Sequence, residues 1–259
     1  MNILLTNDDG IYAPGLAALY RELKHLGEVV VVAPDRQQSA TGTSITLHHP
    51  LHVTEIGAPL AHVKAFSVDG TPGDCVIMGL ETLAGNGVGQ VVCGINEGAN
   101  LGDDVLISGT VGAALQGYFR GLPAMAVSVA ATAPRFDAGA RIAALLAGNI
   151  AEGALTGRIL LNINVPNLFM EDLKGVEITR LGRRRYADAI TEGHDGLRKY
   201  YWIVRGTAHW SEDTGTDIWA IRRDRVSITP LHTDLTHPSQ QALLEGLCPS
   251  LFEGLCQRR

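Results

Sequence analysis

The chain has 259 residues, 46% hydrophobic and 19% charged, with a formal net charge of −6 and a pI near 5.8. That is apolar content for one large α/β domain, or a domain with an appendage, and it excludes an intrinsically disordered chain. The acidic balance excludes a general nucleic-acid duplex binder, and no run reaches the roughly 18 to 20 apolar residues of a membrane span.

Four cysteines, Cys75, Cys93, Cys248 and Cys256, form no Cys-x-x-Cys pair. They read as reduced, mostly core residues. The chain enters a strand at once, without a basic segment and apolar leader, so the expectation is an unexported, cytoplasmic protein. Two basic clusters, Arg183-Arg184-Arg185 and Arg222-Arg223-Asp224-Arg225, read as solvated strand or loop surface.

From the start to about residue 165, apolar strands alternate with amphipathic helices. Asn2 to Leu5 predicts a first buried strand, and Pro14 opens a helix with Leu16, Leu19, Leu23 and Leu26 on one face. Val29 to Ala33 predicts a second strand and Val63 to Val68 a third. Asp69-Gly70-Thr71-Pro72-Gly73 reads as a loop, with Asp74 as N-cap of a helix through Leu83. There follow a strand from Gln90 to Ile95, a helix from Thr110 to Arg120, a strand from Ala124 to Ala130, a helix from Asp137 to Glu152 and a strand from Ile159 to Val165. The sum is an α/β fold, a doubly wound and mostly parallel sheet of about six strands.

From about residue 176 the pattern changes. Tyr200 to Val204 and Ile218 to Ile221 predict antiparallel strands, Val226 to Ile228 another strand, and Ser239 to Leu255 a terminal helix. The expected organisation is a core over 1–175 and a C-terminal hairpin-and-helix extension over 176–259. Hairpins rich in Trp and Tyr are marginal alone, so the extension is expected to pack on a neighbouring subunit.

The chemistry gathers where strands end. After Ile3-Leu4-Leu5 the chain turns through Thr6-Asn7-Asp8-Asp9-Gly10. Asn, Asp and Gly suit a plain turn. They equally suit a metal site, because two carboxylates about 4 Å apart repel by roughly 4 kcal/mol at an effective dielectric near 20, which invites a cation or a shared proton.

A second loop, Cys93 to Asp104, is rich in glycine and amides, and Asn96 adds a neutral oxygen. Asp8, Asp9 and Asn96 form an all-oxygen set that fits Mg²⁺, Mn²⁺ or Ca²⁺. Ser39, in a polar loop after the second strand, is a further oxygen. Ser108-Gly109-Thr110 enters an apolar helix and reads both as an ordinary cap, with Thr110 at the cap, and as an anion cradle of hydroxyls and N–H groups. All these segments fall at carboxyl ends of strands, where open α/β sheets bind ligands. Metal plus phosphate is the joint reading.

Other chemistries lack their residues. There is no Walker A sequence, no Gly-x-Ser-x-Gly elbow, and Gly85-Asn86-Gly87-Val88-Gly89 precedes a strand instead of linking strand to helix. His48-His49-Pro50-Leu51-His52 has no Cys or acidic partner at ligand spacing.

Ile3-Leu4-Leu5-Thr6-Asn7-Asp8-Asp9-Gly10-Ile11-Tyr12-Ala13-Pro14-Gly15 resembles the opening of the stationary-phase survival protein SurE family. The likeness continues through Ala33-Pro34-Asp35-Arg36 with Ser39, Gly70-Thr71-Pro72 with Asp74, Gly94 to Gly102, Ser108-Gly109-Thr110, Asn162-Ile163-Asn164, Thr216-Asp217 and Thr229-Pro230-Leu231. The resemblance implies a Rossmann-like core and a C-terminal extension exchanged in a homodimer or homotetramer. It also implies a metal-dependent 5′- and 3′-nucleotidase acting on nucleoside monophosphates, with short polyphosphate as a further substrate. The implied metal ligands are Asp8, Asp9, Ser39 and Asn96, holding one divalent ion per subunit, and the implied phosphate-binding groups are Asn100, Ser108, Gly109 and Thr110. As candidate catalytic residues, Asp8 or Asp9 is expected to orient or deprotonate a water for in-line attack on phosphorus. The residues show no evident acid for the leaving group. Ile107 stands where the family commonly has Tyr, and Gln37-Gln38 replaces its usual pair before Ser39.

Two rival readings remain at this level. One is a phospho-receiver signalling domain with Asp69 as phosphate acceptor, although Ser128-Val129-Ala130-Ala131 lacks the lysine it needs. The other is a non-catalytic nucleotide-binding oligomer.

Overall fold

The computed structural model describes residues 2–57, 63–187, 190–204, 207–210 and 213–256. The first half of the sheet comprises β1 (Asn2–Thr6), β2 (Val29–Pro34), β3 (Val53–Glu55), β4 (Lys64–Val68) and β5 (Val88–Glu97), with helices α1 (Pro14–Leu23) and α2 (Pro72–Met78) between them. Then come α3 (Gly109–Phe119), β6 (Ala124–Val129), α4 (Asp137–Ala151), β7 (Leu160–Val165) and β8 (Val176–Ile178). Short strands β9 (Arg184–Ala187), β10 (Ile190–His194), β11 (Lys199–Ile203) and β12 (Thr207–Trp210) precede α5 (Asp217–Ile221), β13 (Val226–Pro230), α6 (Pro238–Glu245) and α7 (Cys248–Cys256).

Nine strands form the main sheet, in the order β3-β4-β2-β1-β5-β6-β7-β13-β8. The six from β4 to β7 are mutually parallel. Counted along the chain, they lie in the order 3-2-1-4-5-6 of a Rossmann fold, which reverses beside β1. A receiver domain has a different order, 2-1-3-4-5.

Strand alternation assigns the helices to two faces. Ile3, Leu5 and Val31 meet Leu16, Leu19 and Leu23 of α1 and Ala140, Ala143 and Ala147 of α4 on one side. Leu4, Val30 and Val32 meet Cys75 and Val76 of α2 and Val111, Ala113 and Ala114 of α3 on the other. Side chains alternate along a strand, so an unbroken apolar run such as Ile3-Leu4-Leu5 feeds both layers.

Local chemistry departs from expectation at four places. Thr71, not Asp74, caps α2, and Asp74 at the third helical position accepts the Thr71 N–H at 2.8 Å in a reciprocal capping box. Ser108, not Thr110, caps α3, accepting the Val111 N–H at 3.2 Å. Ile218 to Ile221 is helical, because Thr216 caps the segment by accepting the Trp219 N–H. The predicted terminal helix is two helices, broken around Gly246, with Pro249 in the first turn of the second.

Beyond residue 175 the sheet continues: β13 runs antiparallel to β7 and parallel to β8. The β10–β11 hairpin exposes Ile190, Tyr201, Trp202 and Ile203, and neither α6 nor α7 buries a residue. In the second basic cluster, Arg225 pairs with Glu177 and Arg223 stacks over Trp219. The side chains of Arg184 and Arg185 lie outside the described residues. Among the described residues no helix is long and apolar enough to cross a membrane.

Candidate functional site

β1 and β5 are neighbours at the reversal of strand order, and their carboxyl ends deliver Asp8 and Asn96 to the same crevice. The Asn7 side chain closes the turn after β1 by donating Nδ2 to the Gly10 carbonyl and accepting the Gly10 N–H through Oδ1. The turn reading of this segment is therefore correct, and the turn presents Asp8 and Asp9.

Asp8 is 4% exposed and accepts the Thr110 hydroxyl on Oδ1 at 2.7 Å. Burial pushes its carboxyl up from the usual 3.8 to about 6, against the pull of the Thr110 hydrogen bond and with help from the neighbouring Asp9 charge. Asp9 is also pushed up, chiefly by burial, and its hydrogen bonds are long: 3.4 Å from Gln37 Nε2 and 3.3 Å from the Glu97 N–H. Asn96 donates Nδ2 to the Gly98 carbonyl at 2.7 Å, which leaves its Oδ1 to act as an acceptor or ligand.

Asp8, Ser39, Asn96, Asn100, Ser108 and Gly109 line one cavity of about 40 Å³. Of the residues singled out in the sequence, Asp9 and Thr110 are not on its wall; Thr110 reaches it through Asp8. Ser108 spends an oxygen lone pair on its cap and keeps its hydroxyl proton. Gly109 is there because of space: a Cβ would stand 3.0 Å from Asp8 Cβ, the Gln38 carbonyl and Thr41 Oγ1. The loop carrying Ser39 is tied down on both sides, by Gln38 N–H to the Asp8 carbonyl at 2.7 Å and Gly42 N–H to the Ile107 carbonyl at 3.0 Å.

Asn100 is held by the sheet. Its N–H donates to Asn164 Oδ1, its side chain donates to Ser128 Oγ, and its carbonyl accepts from Asn162 and Asn164. Sequence reasoning gave these supports no role, although two asparagines at alternate positions of a buried strand are a readable signal: such polar groups are buried only where something bonds them. Glu97, Asp104 and Ile107 also line the cavity. Asp69, the acceptor required by the receiver reading, lies at the end of β4, two strands away from β1, and bonds His52 through both oxygens.

The donor set fits a hard cation. Among the described residues no cluster of three His, Cys, Asp or Glu that could hold a metal forms; the cavity wall brings together the Asp8 carboxylate, the Asn96 amide and the Ser39 hydroxyl, with Asp9 next to Asp8 in the turn. A buried carboxylate with a raised pKa gains most from a cation beside it. A far larger cavity, about 620 Å³, lies elsewhere, lined by apolar groups such as Val105, Phe119, Leu160 and Leu231, and holds none of these ligands.

Comparison with known proteins gives the family and the fold. The family described as Survival protein SurE matches residues 3–188. The 5′-nucleotidase SurE of Dehalococcoides mccartyi (strain CBDB1) is 47% identical over 238 residues, covering 91% of this chain and 90% of that one. The 5′-nucleotidase SurE of Moorella thermoacetica is 46% identical over 256 residues, 98% of each chain. The crystal structure of the SurE protein from Aquifex aeolicus matches at a TM-score of 0.83 and 37% identity, over 95% of this chain and 99% of that one. With the Asn-Asp-Asp-Gly turn, the amide loop and the Ser-Gly-Thr helix start all set around one crevice, the chain belongs to the SurE family.

Proposed function

We propose that the chain is a divalent-metal-dependent phosphomonoesterase that releases phosphate from nucleoside 5′- and 3′-monophosphates, and from short polyphosphate. The observation that carries this reading is Asp8, buried with a raised pKa at the sheet's switch point and shared between an oxygen-ligand set and a helix N-terminus. The relatives named 5′-nucleotidase support the same substrate class.

Asp8, Asp9, Ser39 and Asn96 would hold one Mg²⁺, Mn²⁺ or similar hard ion per subunit. Bound there, such an ion supplies charge neutralisation and lowers the pKa of water from about 16 toward neutrality. The rest is the work of the chain. The Thr110 hydroxyl fixes Asp8 Oδ1, and Asp8 or Asp9 orients the attacking water and takes its proton. Asn100, the Ser108 hydroxyl and the N–H groups of Gly109 and Thr110 bind the phosphoryl oxygens as negative charge builds on them.

Within 176–259, the segments outside the main sheet serve assembly. Leu243, Leu244, Leu247, Leu251, Phe252 and Leu255 are exposed along α6, α7 and the link between them, and this apolar face favours a homodimer or homotetramer over a monomer. Free cysteines, two of them exposed, suit a cytoplasmic setting.

The test is phosphate release from a panel of nucleoside 5′- and 3′-monophosphates and a short polyphosphate, with added Mg²⁺ or Mn²⁺ and with chelator. Metal-dependent release is expected. Folded, metal-supplied protein that binds nucleotide and releases nothing would make it a binding oligomer instead.

A further inference from the structure

Asp217 is fully buried, and its described partners are backbone N–H groups from three separate segments. Oδ2 accepts the Gly102 N–H at 2.8 Å; Oδ1 accepts the Gly182 N–H and the Ile218 N–H, each at 2.8 Å. Its own N–H donates to the Arg180 carbonyl at 2.9 Å. Burial pushes this carboxyl up, and the three N–H donors pull it back. Burying a carboxylate is costly, and an apolar residue at this place would instead orphan the N–H groups that converge here.

Two of those segments have a common character. Gly182 precedes β9 and Asp217 follows β12, so the carboxylate clasps the two ends of the arm that carries β9 to β12. The third segment belongs to the cavity. Gly102 opens a 3-10 turn, Gly102–Leu106, whose own cap position, Leu101, offers no side-chain bond. Asp217 caps that turn from 115 residues away. The turn carries Asp104 and leads into Ile107 and Ser108, all on the cavity wall beside Asn100.

We propose that Asp217 is a positioning residue for the phosphate end of the site: it fixes the 102–108 wall against Asn100 and makes the position of that wall depend on where the arm sits. This rests on reading the cavity as a phosphate site. Asp8, Asp9 and Asn96, at the ends of β1 and β5, do not bond Asp217, and the Ser39 loop meets this wall only through the Gly42 N–H bond to the Ile107 carbonyl, so phosphate affinity depends on Asp217 far more than metal affinity does.

The test uses the full chain with Asp217→Asn, which keeps the shape but puts an NH₂ where an N–H needs an acceptor. Five quantities are read: KM and kcat for a nucleoside 5′-monophosphate, Mn²⁺ affinity without nucleotide, inorganic phosphate affinity of the Mn²⁺-loaded protein, and amide exchange over 101–107. The expected result is a KM and phosphate Kd raised about tenfold, kcat and Mn²⁺ affinity within about twofold of the parent, and faster exchange at 101–107. Gly182→Ala approaches from the arm side, where a Cβ would stand 3.0 Å from Asp217 Oδ1; it is expected to shift KM the same way, less strongly, and it carries the test if Asp217→Asn does not fold.

Unchanged KM and phosphate affinity in a folded variant would overturn the proposal, as would loss of Mn²⁺ affinity in parallel with kcat, the mark of general damage. Phosphate binding and exchange are measured without turnover. A parent protein that releases no phosphate from any nucleotide therefore overturns the assigned activity, while the role of Asp217 is still decided by the binding data.

Discussion

The Thr110 hydroxyl donates to Asp8 Oδ1 at 2.7 Å, joining the first turn of α3 to the end of β1 across 102 residues of chain. The contact aligns a helix N-terminus with the acidic turn and opposes the effect of burial on Asp8. Thr110→Val keeps the shape and removes the donor. A hydrogen bond to a charged group contributes about 1.5–3 kcal/mol. The variant is expected to bind Mn²⁺ roughly tenfold to a hundredfold more weakly and to move the acid limb of its pH–rate profile upward; metal titration and rates across pH 5–8 check this.

Asp8 itself makes the metal-free protein less stable as pH rises. Its folded pKa, about 6, lies above the usual 3.8, so between those values the native state binds more protons than the unfolded chain and stability falls with increasing pH. The span corresponds to about 3 kcal/mol as an order of magnitude, fully expressed above pH 6. Asp8→Asn, which keeps an oxygen for Thr110, is expected to raise the Tm of metal-free protein at pH 7.5 and to abolish turnover. Calorimetry in chelator and a phosphate-release assay give the two readings; a variant as active as its parent would remove Asp8 from the ligand set.

Asn164→Ala leaves the Asn100 N–H without its acceptor and removes one of two donors to the Asn100 carbonyl. A buried group left unsatisfied costs about 1–3 kcal/mol. Urea unfolding should show that loss, and KM for a nucleoside monophosphate should rise more than kcat falls, because what moves is a group proposed to bind phosphate.

Phe252→Asp places a charge on the exposed apolar face of α7, where it disturbs no packing within the chain. Sedimentation of the parent and the variant should show a shift to a smaller assembly with the fold, by far-ultraviolet circular dichroism, retained. An unchanged assembly would put the interface elsewhere.

The parts of the fold readable in advance were those written in local pattern. Unbroken apolar runs flanked by turns specify buried parallel strands, and leucines at helical spacing specify the helix over them. The misreadings were local competitions decided elsewhere. Ile218-Trp219-Ala220-Ile221 has strand composition, yet a Thr216 cap and docking against β13 make it helical. Thr110 and Ser108 are both credible caps two residues apart; Ser108 takes the cap while the Thr110 hydroxyl goes to Asp8.

The chain's own residues determined the class of fold, the acidic turn and the chemical type of every candidate ligand, because these follow from side-chain chemistry and the periodicity of neighbours. Only the tertiary structure decided which of those groups meet. The reversal of strand order puts the ends of β1 and β5 side by side, burial moves Asp8 away from its ordinary pKa, the asparagines of β7 hold Asn100, and Asp217 reaches back to Gly102. Each of these joins residues distant in sequence. No local pattern encodes them, because both partners acquire their positions from the whole sheet.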